Sequence, residues 1–273
     1  MSPQRKPKVA IFKFASCDGC QLSLLDAEDE LLAVTELIDL AHFAEASSDL
    51  NPGPYDISIV EGSVTTSEDA ERIQKIRADS RFLMTIGACA TAGGIQSLRN
   101  WASLDDWVGR VYPSPDYIQA LATSTPIATH VHVDFELHGC PVNHRQLVEV
   151  IVSLAEGRRP RPASHSVCLD CKLRGTVCHI VTKGAPCLGP VTHTGCNAIC
   201  PAFNRGCFGC YGPSVPAPVE PLLTQFRNQG HSSDHLVQLL RSYNAQAPHF
   251  REAADAMVAE AAATRPRGTG EIP

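Results

Sequence analysis

The sequence predicts an α/β protein, a mostly parallel sheet with helices on its faces, followed by an irregular cysteine-rich segment and a helical end. Three observations carry this. Short apolar runs alternate with amphipathic stretches up to residue 156, a Pro- and Arg-rich stretch, EGRRPRPAS, interrupts the chain near residue 160, and eight of twelve cysteines fall between 168 and 210.

The first element is a buried strand at 8–14 (KVAIFKF), followed by a helix at 22–34 with leucines 24, 25, 31 and 32 on one side. Strands follow at 36–43 and 56–62. A helix is expected over 67–79, opened by the capping-box pair Thr66 and Asp69. RFLMTIG, residues 81–87, is the next strand, and the small residues at 88–94 open a short helix. HVHVDFEL at 130–137 alternates apolar and polar side chains, which suits an edge strand buried on one face. A helix at 143–156 closes the unit. The boundary is expected near residue 160, giving domains 1–160 and 161–273. Residues 161–216 are dense in Cys, Gly and Pro and short of periodicity, so metal rather than an apolar core is expected to organise them. Helices are expected at 218–228, 233–243 and 247–263, with a loose tail after them.

The chain has 273 residues, 44% of them hydrophobic, and a net charge of −6 with both signs spread along it. That composition excludes the basic stripe of a nucleic-acid binder and implies no anionic membrane partner. No apolar run approaches the roughly 20 residues of a membrane span, and the N-terminus shows no cleavage site or paired-arginine signal. A cytoplasmic location is expected. In a reducing compartment, clustered cysteines are read as metal ligands rather than disulfides.

The cysteines divide into a dispersed set, Cys17, Cys20, Cys89 and Cys140, and a dense set, Cys168, Cys171, Cys178, Cys187, Cys196, Cys200, Cys207 and Cys210. Four thiolates hold one cubane iron–sulfur cluster, so twelve suffice for three. Each of the first four lies just beyond a predicted strand end, where an open parallel sheet forms its ligand crevice. A flavin phosphate in that crevice would want hydroxyls on the first loop. Here the loop is ASCDGCQLS, whose thiols argue against flavin in this chain. The dense set reads as CxxCx6Cx8C then Cx3Cx6CxxC. On spacing alone, zinc and iron–sulfur are equally good readings, and exchange of a fourth ligand between the two motifs is open. The consecutive assignment is preferred because neither half has the tight two-cluster ferredoxin spacing.

With SCDGCQLSLLD at 16–26, IVEGSV at 59–64, GACATAGGI at 87–95, GCPVN at 139–143 and the cysteines of 168–213, the chain resembles the small subunits of [NiFe] hydrogenases. The resemblance spans residues 8–215 and is to the cytosolic bidirectional, NAD(P)-linked or sulfhydrogenase branch. It implies a flavodoxin-like first domain and three [4Fe–4S] clusters: proximal on Cys17, Cys20, Cys89 and Cys140, medial on Cys196, Cys200, Cys207 and Cys210, distal on Cys168, Cys171, Cys178 and Cys187. Exported relatives typically place a histidine where this chain has Cys168 and often a proline where it has Cys200. Val142 replaces the second proline of the usual GCPP. The implied partners are a large subunit bearing the NiFe centre and a flavin- or cluster-bearing NAD(P)-reactive subunit.

All twelve thiols are then used, leaving none for nickel and no catalytic residue in this chain. Glu61 is weighed as part of a polar network near the first site against a solvated carboxylate. His138 is read as a loop histidine ahead of a sulfide donor, and His179 and His193 as bystanders. Rival readings are a hydrogenase that reduces a deazaflavin or feeds a heterodisulfide reductase, the cluster subunit of respiratory complex I, and, in another class, a zinc-stabilised binding module.

Overall fold

A computed structural model describes residues 5–264. The expected tail lies almost wholly outside the described residues. The chain opens with β1 (Lys8–Lys13), whose KVAIFK run is buried from Val9 to Phe12. Two helices follow, α1 (Gly19–Leu25) and α2 (Asp29–Leu37), then β2 (Asp39–Phe43), β3 (Tyr55–Glu61), α3 (Ser67–Ala78), β4 (Ser80–Ile86) and α4 (Gly87–Ala92). After a 3-10 turn at Ile95–Trp101 come α5 (Leu104–Val111), β5 (Phe135–Leu137) and α6 (His144–Ala155). The five strands are all parallel, in the order β2-β1-β3-β4-β5. This is the flavodoxin-like order, with its switch point between β1 and β3.

Covered faces explain why the central strands carry apolar residues on both sides. On one face Val9, Ile11, Ile59, Met84 and Ile86 pack against Leu24, Val34, Leu147 and Ile151 of the helices. On the other, Ala10, Phe12, Val60 and Leu83 meet Ile73 and Ile76 of α3. The α3 cap is as expected, since Asp69 N–H donates to Thr66 Oγ1 at 3.1 Å.

Three expectations change. The helix predicted over 22–34 is two helices: the Ala27 and Glu28 N–H groups bond back to Leu24 and Leu25 carbonyls, and Glu28 sits at φ +43°. Leu32 is consequently 65% exposed rather than in the apolar stripe. The edge strand is only Phe135–Leu137. Asp134 spends its carboxylate on the Leu83 N–H at 2.8 Å and Arg77 at 2.6 Å, while His130 and Val131 turn back onto the Ile127 carbonyl.

The third change concerns the cysteine-rich region, which has its own apolar core. It contains α7 (Val167–Leu173), α8 (His179–Lys183) and α9 (Ile199–Ala202), followed by α10 (Val219–Asn228), α11 (Ser233–Leu240) and α12 (Pro248–Thr264). Val167, Leu188 and Val191 pack with Leu223, Phe226, Leu236 and Phe250 of the later helices, and Cys187 and Cys207 are buried in the same cluster. The expectation that metal replaces a core here is therefore wrong. Apolar residues spaced too widely for periodicity meet the stripes of three helices that follow them. The two sheet-face cores draw only on residues 9–155 and the third only on 167–257.

Candidate iron–sulfur sites

The first site grows from the carboxyl ends of four neighbouring strands. Cys17 follows β1 and Cys20 lies in α1; Cys89 lies in α4 directly after β4; Cys140 follows β5. Glu61, the last residue of β3, pairs in register with Lys13 and Ile86, so it stands between these ends. The Ala88 N–H donates to the Gly139 carbonyl at 2.7 Å, tying the Cys89 and Cys140 loops together. Cys20 is electrostatically coupled to Cys89 and Cys140, Cys89 to Cys140 and Cys17, and Cys140 to Cys17. The structure thus brings all four predicted thiols together.

Backbone without side chains lines this site. Gly87 holds φ +82°, and a Cβ there would fall inside the radius of Cys20 Sγ. A Cβ at Gly94, φ +61°, would lie 2.5 Å from Cys89 Sγ. Glycine is required at both positions for the backbone conformation and for the close approach.

Burial first, and the neighbouring thiols second, push Cys89 up to about 12 and raise Cys140. Burial and the Glu61 charge drive Cys20 further up. Thiols so placed remain protonated at neutral pH unless positive charge replaces the protons, which is what bound metal supplies. Glu61 is 1% exposed, so the solvated reading is excluded. Its Oε1 accepts the Cys20 N–H at 3.1 Å, and burial raises its pKa. Its Oε2 and Gln21 Nε2 are both buried without a hydrogen bond, although the Gln21 side chain is near enough to favour the charged carboxylate.

The dense set forms two overlapping groups, because Cys187 of the first also acts on Cys207 and Cys200 of the second. Cys168 is coupled to Cys187, Cys171 and Cys178, and Cys171 to Cys187 and Cys178. Cys210 is coupled to Cys196 and Cys200, and Cys207 to Cys210 and Cys196. Two further links join the groups in series. Cys210 feels Cys140 of the first site, and the Cys207 N–H donates to Cys187 Sγ at 3.1 Å. Burial leads each shift, pushing Cys168 up to about 11 and Cys210 up to about 12. Among the described residues no three of His, Cys, Asp or Glu converge closely enough to hold one metal ion.

Several participants have no signal in the sequence. Gln96 bridges the Ala15 carbonyl at 2.8 Å and Cys89 Sγ at 3.3 Å. Tyr211, 4% exposed, donates to the Pro141 carbonyl at 3.1 Å and wedges between the first and second sites. His138 stacks on His193 with ring centroids 5.2 Å apart, and burial lowers His138 to about 4, so it is neutral at physiological pH. His138 thus lies in a loop, as expected, and that loop is packed against His193. His179 is buried beside Cys178 and is 6% exposed.

The family model of the NADH ubiquinone oxidoreductase 20 kDa subunit matches residues 17–154, which contain the four dispersed cysteines. Among curated proteins the chain is 36% identical to sulfhydrogenase 2 subunit delta of Pyrococcus furiosus over 208 residues, 76% of this chain and 87% of that one. It is 28% identical to an F420-non-reducing hydrogenase subunit of Methanothermobacter marburgensis, over 77% of this chain and 80% of the other. Among solved structures, a chain of the NAD+-reducing [NiFe]-hydrogenase in its H2-reduced state matches with TM-score 0.54 and 28% identity, covering 58% of this chain and 96% of that one. Strand order, thiol sites and these likenesses agree: the chain belongs to the family of the NADH ubiquinone oxidoreductase 20 kDa subunit and, within it, to the small subunits of [NiFe] hydrogenases.

Proposed function

We propose that this chain is the electron-transfer small subunit of a cytoplasmic [NiFe] hydrogenase, relaying electrons through three [4Fe–4S] clusters. The relay would run between the NiFe centre of a large subunit and an NAD(P)-reactive flavoprotein. Cys17, Cys20, Cys89 and Cys140 would hold the proximal cluster, Cys196, Cys200, Cys207 and Cys210 the medial one, and Cys168, Cys171, Cys178 and Cys187 the distal one. The observation that carries the reading is the serial arrangement of three thiol groups, joined by the Cys140–Cys210 and Cys187–Cys207 approaches. Twelve thiols in three sets of four match three cubane clusters, each held by four thiolates.

Each cluster, when bound, supplies a one-electron carrier. The chain does the rest. Its sheet fixes the first ligands on rigid strand ends, Glu61 orients the Cys20 backbone, and buried Tyr211 ties the cysteine-rich segment to the Cys140 loop through the Pro141 carbonyl. Domains 1–160 and 161–273 would divide the work, the first facing the catalytic partner and the second carrying charge away. No helix among the described residues is long and apolar enough to cross a membrane.

The surface for the large subunit is the face beyond Cys89. α5 buries none of its residues, leaving Trp107 42% and Val111 62% exposed, and Ile95, Leu98, Tyr112 and Tyr117 extend the patch. Trp107 Nε1 donates to the Arg99 carbonyl and Arg99 to the Leu121 carbonyl, which stitches residues 95–121 into one surface. Apolar surface of this extent marks a protein interface.

The likeness to an F420-non-reducing hydrogenase subunit favours, of the rival acceptors, a heterodisulfide reductase over a deazaflavin, and this is the second reading. Hydrogen-dependent formation of NADH or NADPH by the anaerobically purified complex decides between them. The first reading predicts nicotinamide reduction; reduction of an artificial dye alone would select the second.

A further inference from the structure

The expectation that both charge signs are spread evenly fails over one stretch. Residues 157–219 contain seven Lys and Arg and a single acid, Asp170, in a chain whose net charge is −6. Asp170 is already engaged: His165 Nε2 lies 2.9 Å from its Oδ1, and the Thr194 hydroxyl donates to its Oδ2. The four cations among the cysteines, Lys172, Arg174, Lys183 and Arg205, are exposed and take part in none of the ion pairs of the described residues.

Arg174, Lys183 and Arg205 gather along one loop, and Lys172 lies close enough to Cys168 for its charge to act on that thiol. Arg174 donates to the Asn197 carbonyl at 2.8 Å and Lys183 to Asn204 Oδ1 at 2.6 Å, so α7 and α8 are pinned to the two ends of the loop that carries α9 and Arg205. Both acceptors are neutral, and the positive charge stays uncompensated. In the same segments Leu173, Val177, Val181 and Phe203 are exposed by 78, 65, 81 and 74%. Cys178 is exposed in the middle of them. Large apolar side chains left open beside unpaired cations are a costly surface for a free protein, and a suitable one for a partner of opposite charge.

We propose that the electron acceptor of this relay docks on this face, around the distal thiols, through an acidic surface that rings its redox centre. The proposal rests on the relay reading for its redox role. A cluster held by Cys168, Cys171, Cys178 and Cys187 would supply one electron, derived from hydrogen oxidation in the large subunit, to the oxidised centre of the acceptor; no bond would form or break and no proton would move. The apolar centre brings the two redox groups close, and the basic rim steers encounter, as suits the small interfaces of electron-transfer pairs.

The test uses the complex of this chain with its large subunit, and an acidic plant-type [2Fe–2S] ferredoxin as probe. Calorimetric titration should show a dissociation constant that rises steeply with salt. The double variant Lys172→Glu/Lys183→Glu should weaken binding roughly tenfold or more at low ionic strength and flatten the salt dependence. Hydrogen-driven reduction of a small viologen dye should stay unchanged, and a basic cytochrome c should bind the variant better than the wild type. Binding that is insensitive to salt and to charge reversal overturns the proposal. An equal loss with the dye also overturns it, because the cations would then act on the cluster and not on docking. If the wild-type complex binds ferredoxin in a salt-sensitive way yet reduces no dye, the relay reading fails and the docking face stands.

Discussion

Cys17→Ser should cut hydrogen-driven reduction of external acceptors by more than about a hundredfold, beyond the 10- to 100-fold cost of losing an outer-shell partner of a metal ligand. Isotope exchange between hydrogen and water by the large subunit should continue. Cys17 suits this test because it is exposed and belongs to neither sheet core, so the substitution removes a ligand without leaving a cavity. A serine hydroxyl is a far weaker ligand for iron than a thiolate, and Cys20, Cys89 and Cys140 remain as an incomplete set. The contrast with Cys207→Ser is informative. Cys207 packs in the core of residues 167–257, so its loss should also destabilise that core. Unimpaired acceptor reduction by the Cys17 variant would remove the proximal role from this site.

Trp107→Glu combined with Val111→Glu should abolish assembly with the large subunit, read as loss of co-purification and as a monomer by size exclusion. The two side chains lie on α5, which buries nothing in this chain, so the variant has no core to disturb. Two carboxylates placed in a desolvated apolar interface each cost several kcal/mol unless paired. Thermal stability of the isolated chain should stay close to wild type. A stable complex with normal composition would show that the large subunit docks elsewhere.

The sheet was legible because strands covered on both faces carry consecutive apolar residues, 9–12 in β1, 59–60 in β3 and 82–84 in β4. The gathering of the first four thiols was legible because each follows a strand end of one parallel sheet; the division of the second set rests on spacing. What escaped depends on single side chains or on assembly across distance. Asp134 ends a strand early by taking a ladder N–H with its carboxylate, and nothing in an alternating HVHVDFEL run announces that. Glu28 breaks a helix whose leucine pattern is continuous on paper. The apolar core around Leu188 and Phe226 joins residues nearly forty positions apart, so no local window shows it. Gln96 and Tyr211 touch the sites from loops whose composition is ordinary. The basic stretch was countable in the sequence, but only exposure and the missing carboxylate partners give it meaning.

Metal content per chain tests the central claim most directly. Purified anaerobically, the protein should be brown and contain about twelve irons and about twelve acid-labile sulfides, four of each for every cubane cluster. Reduction should produce electron paramagnetic resonance signals of interacting iron–sulfur clusters. A colourless protein holding two or three zinc ions and no sulfide would contradict the account.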